Sequence, residues 1–305
     1  MNLGKLSIWT SVNGPIGFFE DEKSGELGPA TAERLARFAR RVEELGYDSI
    51  WMPDAFGRDP LIASAWLLAN TTTLKVATGI ISIYSRDPIA MRAGADALNE
   101  QWGGRFILGL GVSHRETVEG MRGHHYEKPI PAMRSYLEAI AKAPYYAVPP
   151  AEPTTIVLAG LREKMIELSG EQADGAHSYL VPPEHTAQAR AILGPDKLLC
   201  VEQPMVLETD PVKAREIARG EVAFYLTLPN YCNSWKALGF TVEDLANGGS
   251  DHFVDSLVGW GDEAALRKRI DEHLSAGATQ VCIKPLAPAG GGADMRIIEM
   301  LAPAA

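Results

Sequence analysis

Several features that would assign the chain to a specialised class are missing from its 305 residues. No apolar run reaches about 18 residues, so no membrane-spanning helix is expected, and the first residues show no secretory signal. The three cysteines, Cys200, Cys232 and Cys282, are widely spaced without a Cys-x-x-Cys pair, which argues against a disulfide framework or a zinc knuckle. Cys200 and Cys282 are expected to be reduced core residues. We therefore expect a cytoplasmic protein.

Positive charge is also scarce. The 29 lysines and arginines against 39 aspartates and glutamates give a formal net charge of −10. A nucleic-acid binder concentrates cations to neutralise phosphates, so no nucleic-acid partner is expected, although a phosphorylated small ligand stays open. His124 and His125 are adjacent, point in different directions and lack a carboxylate motif, so no metal site is expected.

Short apolar runs alternate with amphipathic helical segments along the whole chain. The first helix is expected to open at Pro29, and Asp262 is expected to cap the last one. Helices are expected after seven of eight strands, which predicts one α/β domain over residues 1–305, a (β/α)8 TIM barrel. The predicted strands are residues 6–12, 47–52, 74–81, 105–110, 155–158, 176–181, 197–207 and 279–284.

Two polar segments, residues 112–129 and 227–259, interrupt this alternation and are expected to be loop insertions. The first follows the fourth strand at the C-terminal face of the barrel, where active sites of this fold are built. A connection this long is usually functional or carries short elements of its own.

The fourth strand ends in a Gly-x-Gly turn at residues 109–111. Bare backbone there would let a flat or phosphorylated ligand approach the exposed N–H groups. A plain turn is the alternative. A dinucleotide fingerprint loses support, because His114 occupies its last glycine position.

Five segments together carry a family resemblance. Their order and spacing resemble the luciferase-like superfamily, and within it a coenzyme F420-dependent oxidoreductase subfamily of actinobacterial type. The resemblance implies hydride transfer between a deazaflavin and an unidentified small organic substrate, and it suggests a homodimer. The segments are residues 43–54 (EELGYDSIWMPD), 77–81 (ATGII), 104–114 (GRFILGLGVSH), 173–180 (ADGAHSYL) and 277–281 (GATQV).

The resemblance also implies where the cofactor would bind. It places a non-proline cis peptide at Gly79–Ile80, behind the ring, and the cofactor phosphate at residues 159–161. Small residues there would leave helix N–H groups free to meet a phosphate, although a plain strand–helix turn is equally compatible with the sequence. The implied cofactor-binding residues are Asp54, Gly79, Ile80, Ser82, Gly111, Val112, Ser113, Ala159, Gly160, Leu161, Met165 and His177.

His114 is the candidate catalytic residue, because an imidazole that titrates near neutrality suits proton transfer. The deazaflavin sugar-phosphate dehydrogenases of this family carry a glutamate at this position and a histidine where this chain has Ala55. The departure argues against sugar-phosphate oxidation and leaves the reaction direction open. Tyr179 is a further candidate to face ring or substrate, and Trp9 is expected in the pocket wall or core.

Three alternatives stay open at this point. The first is an FMN-dependent luciferase-like monooxygenase that works with a separate reductase. The second is a cofactor-free barrel lyase that uses Lys284 as a Schiff-base lysine. The third is a binding protein that keeps the barrel without chemistry.

Overall fold

Eight parallel strands form the wall of a closed barrel. They are β1 (Leu6–Trp9), β2 (Ser49–Met52), β3 (Lys75–Thr78), β4 (Phe106–Gly111), β5 (Thr155–Ala159), β6 (Gly175–Ser178), β7 (Leu198–Leu207) and β8 (Gln280–Pro285). The computed structural model describes residues 2–11, 16–17, 30–288 and 292–303. Each strand pairs in parallel with the next, and β8 closes the ring on β1 with Val281 opposite Leu6. The predicted (β/α)8 barrel is confirmed.

Helices follow the strands and cover the outside of the barrel. The described residues include α1 (Ala32–Glu44), α2 (Pro60–Ala69), α3 (Pro88–Gln101), α4 (Pro129–Lys142), α5 (Glu163–Gln172), α6 (Pro183–Leu193), α7 (Pro211–Ala223), α8 (Pro229–Ala237), α9 (Val242–Leu245), α10 (Asp251–Leu257), α11 (Glu263–Ser275) and α12 (Met295–Met300). Asp262 accepts a hydrogen bond from the Ala265 amide, which confirms the predicted cap. Within the described ranges no helix is long and apolar enough to cross a bilayer.

Three local predictions need correction or fall outside the described residues. The third strand was expected over residues 74–81 but is continuous only over Lys75–Thr78; after Gly79 and Ile80 the chain pairs with β4 again at Ile81–Ser82. The eighth strand was expected to lack a helix, yet α12 follows it. The first helix begins at Ala32 behind a Thr31 cap, whereas Pro29 lies outside the described residues.

Both insertions contain helices of their own. Residues 112–129 include a π-helix at Glu116–Met121, and residues 227–259 include α8, α9 and α10. Trp235 on α8 and Phe253 on α10 are fully buried against Val222 of α7. Apolar side chains spaced four residues apart therefore fold the second insertion into a small helical layer that packs on α7.

The core has two parts, because successive strand residues point to opposite sides of the barrel wall. Trp51, Cys200 and Cys282 pack inside the barrel, while Ile50 and Leu108 pack outward under the helices. Cys200 and Cys282 are buried and free, as predicted. The barrel interior is therefore filled by a layer of packed side chains, and this layer closes the barrel below the carboxyl ends of the strands.

One carboxylate joins α1 to the chain that enters β3. The Oε1 atom of Glu43 accepts hydrogen bonds from three consecutive backbone amides, at residues 72–74, over 2.6–2.9 Å. Burial alone would raise the pKa of Glu43, but these bonds outweigh it and lower that pKa from 4.5 to about 2. Since the folded value lies below the unfolded one, the stabilisation is present above pH 4.5 and is lost as the pH falls toward 2.

The substitution Glu43→Gln tests this junction. At pH 7 we expect the free energy of unfolding to fall by about 2 kcal/mol, because a charge-assisted acceptor of three amides is lost. Urea unfolding at pH 7, 5 and 3 should show the difference from the wild type shrinking as the pH falls. Glu44→Gln is the matched control, because Glu44 has a side chain 63% exposed and should change little. An undiminished Glu43→Gln effect at pH 3 would contradict the electrostatic origin.

Candidate active site

A cavity of about 1110 Å³ lies at the carboxyl ends of the strands. Each of the eight strands contributes to its wall, either with its last residues or with those just after it. Pockets for one small ligand take about 300–1,000 Å³, so this cavity is large enough for one large ligand or for two small ones side by side. The predicted residues that line it are Asp54, Gly79, Ile80, Ser82, Ser113, His114, Ala159 and His177.

The peptide bond between Gly79 and Ile80 is cis, as the resemblance implies. The Ile80 side chain packs against Gly111, where a methyl group would lie only 2.5 Å from the Ile80 Cδ1 atom. Gly109 is closer still to the backbone of Thr78, whose hydroxyl accepts from the Gly109 amide at 2.9 Å. The Gly-x-Gly sequence was expected to give a ligand access to bare backbone. The space beside Gly111 is instead filled by Ile80.

His177 faces the cavity from β6 in a defined tautomer. Its Nδ1 atom lies 3.1 Å from the carbonyl oxygen of Cys200, which can only accept, so Nδ1 carries the proton of the neutral ring. Burial lowers the pKa of His177 to about 4, so the ring is neutral at pH 7. Nε2 is then a buried acceptor with no partner among the described residues, next to Gly79. A ligand N–H or O–H group in the cavity could donate the missing hydrogen bond to this Nε2 atom.

His114 lies just after β4, behind Ser113, whose φ of 57° turns the chain toward the cavity. Its ring centroid is 5.9 Å from that of Tyr231. Burial lowers the pKa of His114, although the charge of Glu116 opposes this shift. The imidazole is thus largely neutral at pH 7 and suited to accept a proton.

Five predicted contacts lie outside the cavity lining. Gly111 and Val112 pack into the β4 wall, and Met165 is buried under α5. The Leu161 carbonyl oxygen lies 2.9 Å from Nε2 of His185, and Gly160 packs against Ile166. The turn from β5 to α5 is therefore tied to the surrounding core, and a phosphate contact for it stays a prediction.

Lys284 forms the centre of a polar group that was not predicted as a unit. Its Nζ atom is ion-paired with Glu221 of α7 and donates to the hydroxyl oxygen of Tyr179 at 2.8 Å. The Tyr179 hydroxyl is in turn 2.7 Å from that of Tyr225. Burial alone would lower the pKa of Lys284, but the Glu221 charge outweighs it and the pKa is raised. The amine is therefore protonated and paired.

Glu202 lies beneath this group, fully buried inside the barrel. Its Oε2 atom accepts from the Leu180 amide at 2.9 Å. Burial raises the pKa of Glu202 to about 8, with the Lys284 charge opposing, so the acid is largely protonated at pH 7. Among the described residues, Glu221 is then the carboxylate that neutralises Lys284.

Arg122 also lines the cavity, and the sequence did not single it out. It follows the π-helix of the first insertion, and its Nη2 atom is 3.2 Å from a carboxylate oxygen of Asp54. This ion pair joins the first insertion to the end of β2 and fixes the Asp54 carboxylate at the cavity wall. The predicted placement of Asp54 at the cavity thus comes with a cation that reduces its negative charge.

A sequence signal for the missed α7 residues existed in their spacing. The residues of α7 and its C-cap that line the cavity follow the spacing i, i+3, i+4, i+7, i+8 and i+11, so they lie on one face of the helix; they are Lys213, Glu216, Ile217, Gly220, Glu221 and Phe224. The face is polar as well as apolar, so it did not stand out from a solvated helix surface. Arg122 carried no such signal.

The fold and the cavity together define the class: a (β/α)8-barrel enzyme whose site lies at the carboxyl ends of the strands. The family model described as luciferase-like monooxygenase matches residues 16–280, and the chain belongs to this family.

Curated relatives and solved structures extend this result. A putative coenzyme F420-dependent oxidoreductase from Mycobacterium tuberculosis is 29% identical over 165 residues, which cover 54% of this chain and 46% of that one. The chain thus spans about half the length of that relative. The 5,10-methylenetetrahydromethanopterin reductase of Archaeoglobus fulgidus is 27% identical, covering 83% of this chain and 90% of its own. The coenzyme F420-dependent tetrahydromethanopterin reductase of Methanopyrus kandleri shares the fold, with a TM-score of 0.72 at 17% identity, over 99% of this chain and 98% of that one.

Proposed function

We propose that the protein is a coenzyme F420-dependent oxidoreductase that transfers hydride between the deazaflavin and a small organic substrate. The observation that carries the proposal is the Nε2 atom of His177, a buried acceptor that has no partner among the described residues and lies beside Gly79 and Ile80 in the cavity wall. Membership of the luciferase-like family and relatives named for F420 support the choice of cofactor.

The residues present fit a flat heterocycle. Ile80 would support one face of the ring, and the acceptor Nε2 of His177 would take a ring N–H. Ser82 and Ser113 lie farther along the same cavity and offer hydroxyl groups. The volume of about 1110 Å³ leaves space for a substrate on the other side of the ring. When bound, a deazaflavin supplies a two-electron hydride carrier whose reactive atom is carbon.

His114 would handle the accompanying proton. Its neutral imidazole at pH 7 can take the proton of an alcohol when hydride leaves the substrate, and can return it in the reverse direction. The Schiff-base alternative is disfavoured, because the Lys284 amine is protonated and held by Glu221, and a protonated amine is not a nucleophile.

Titration of the apoprotein with F420 and, separately, with FMN tests the proposal. We expect F420 fluorescence to report saturable binding and His177→Phe to weaken it about tenfold, because the ring acceptor is lost while the core stays filled. The matched control is His273→Phe, at another fully buried histidine that bonds Thr186 and Gln203 and lies outside the cavity lining. Tight FMN binding without F420 binding would instead identify a flavin monooxygenase. Binding of F420 with no turnover on any substrate would leave a non-catalytic protein.

A further inference from the structure

We propose that the Tyr179–Tyr225 hydroxyl pair is the subsite for the substrate's oxygen, so that the substrate is a carbonyl compound. The assignment rests on the proposed hydride transfer for its chemical meaning. It rests on the hydrogen bonds of the cavity wall for its location. Both tyrosines line the cavity: Tyr179 directly follows β6, and Tyr225 lies just after α7.

One O–H group of the tyrosine pair has no hydrogen-bond acceptor among the described residues and is available to a ligand. Lys284 is donor only, so the Tyr179 oxygen accepts its bond. The single bond between the two hydroxyls uses one O–H, whichever tyrosine donates it. The other O–H has no acceptor within the described part of the chain. One phenolic hydrogen must therefore point to a ligand or to water in the cavity.

The environment of the pair strengthens that donor. The ammonium group of Lys284 lies 4.8 Å from the Trp9 ring centroid and is ion-paired with Glu221, so its position is fixed on three sides. A bond donated into the Tyr179 oxygen polarises the chain of hydroxyls behind it. The pair thus presents a preorganised donor, backed by a cation, toward the open part of the cavity.

This arrangement matches the charge that develops when a carbonyl is reduced. Hydride supplied by the reduced cofactor would add to the carbonyl carbon, the π electron pair would move onto oxygen, and the cofactor would be left oxidised. The oxygen would take one proton, delivered by the protonated fraction of His114 and replaced from solvent, to give the alcohol. A fixed O–H donor at that oxygen stabilises the developing charge. An unactivated alkene offers no such acceptor.

The test uses apoprotein and 2-cyclohexen-1-one labelled with ¹³C at the carbonyl. In the wild type we expect the carbonyl ¹³C resonance of the bound probe to move downfield, as a hydrogen-bonded carbonyl does. Tyr225→Phe and Tyr179→Phe each keep one O–H with no partner, so each should retain a downfield shift. The double variant has no phenolic O–H and should lose the shift, with about tenfold weaker binding. A shift retained there would assign the oxygen to the Lys284 ammonium, which also lines the cavity, and would overturn the assignment.

Tyr231→Phe is the matched control, because Tyr231 also lines the cavity but shares no hydroxyl bond with the pair in the described structure. It should keep the wild-type shift, and a loss there would transfer the role to Tyr231 and overturn the assignment. No binding or no shift in the wild type would also overturn it, whatever the variants do. Because no cofactor is present, a failed F420 titration would remove the proposed function and leave this result readable on its own.

Discussion

Replacing Gly109 with alanine is expected to lower the free energy of unfolding by about 4 kcal/mol or more. The new methyl group would lie 1.8 Å from the carbonyl oxygen of Thr78. That neighbour is backbone in a barrel strand and cannot rotate away. Moving it would also strain the two bonds of 2.9 Å between the Thr78 hydroxyl and the backbone of Gly109. Thermal unfolding should shift down by roughly 8 °C for a chain of this size.

Gly120→Ala is the control for Gly109→Ala. It sits in the π-helix of the first insertion, and a methyl group there would meet nothing within 4 Å. We expect its unfolding temperature to equal or slightly exceed that of the wild type, because alanine restricts the unfolded chain more than glycine does. A Gly109→Ala protein with wild-type stability would show that β3 and β4 can separate at this point. The close packing of Thr78 and Ile80 against Gly109 would then be wrong.

This contact also shows why the sequence predicted the barrel better than its details. Apolar runs such as residues 105–110 identify strands because both of their faces are covered, and eight of them with helices between leave few topologies. The requirement for glycine at position 109 has a different origin from the apolar pattern of the strand. It depends on a carbonyl oxygen 31 positions away, which no local pattern records. Strand ends were accordingly predicted less well than strand centres.

The site residues also fall into a predictable group and an unpredictable group. His177, Asp54 and Gly79 follow strands directly, so placing the strands places these residues at the cavity. Arg122 and Glu221 reach the cavity from an insertion and from α7, through folding that depends on tertiary packing. Residues on parallel strand ends converge by topology, whereas residues on helices converge only once the helix orientation is known.

Replacing Lys284 with methionine is expected to destabilise the protein by about 3–4 kcal/mol, since it removes one partner of a mostly buried ion pair. The side chains of Lys284 and Glu221 are only 17% and 13% exposed. Glu202 does not supply a second negative charge at pH 7, because burial raises its pKa to about 8. The cost therefore comes chiefly from the Glu221 carboxylate left without its cation.

A double-mutant cycle separates this cost from simple loss of packing. Lys284→Met combined with Glu221→Leu should recover much of the stability lost in Lys284→Met, as measured by urea unfolding, because no unpaired charge remains. Lys268→Met is the matched control. It breaks another lysine–glutamate pair, with Glu272, but the Lys268 side chain is 78% exposed, and the loss should stay within about 0.5 kcal/mol. Strictly additive losses for Lys284→Met and Glu221→Leu would mean that the two charges do not stabilise each other, and that the cation behind Tyr179 is held by its aromatic neighbours instead.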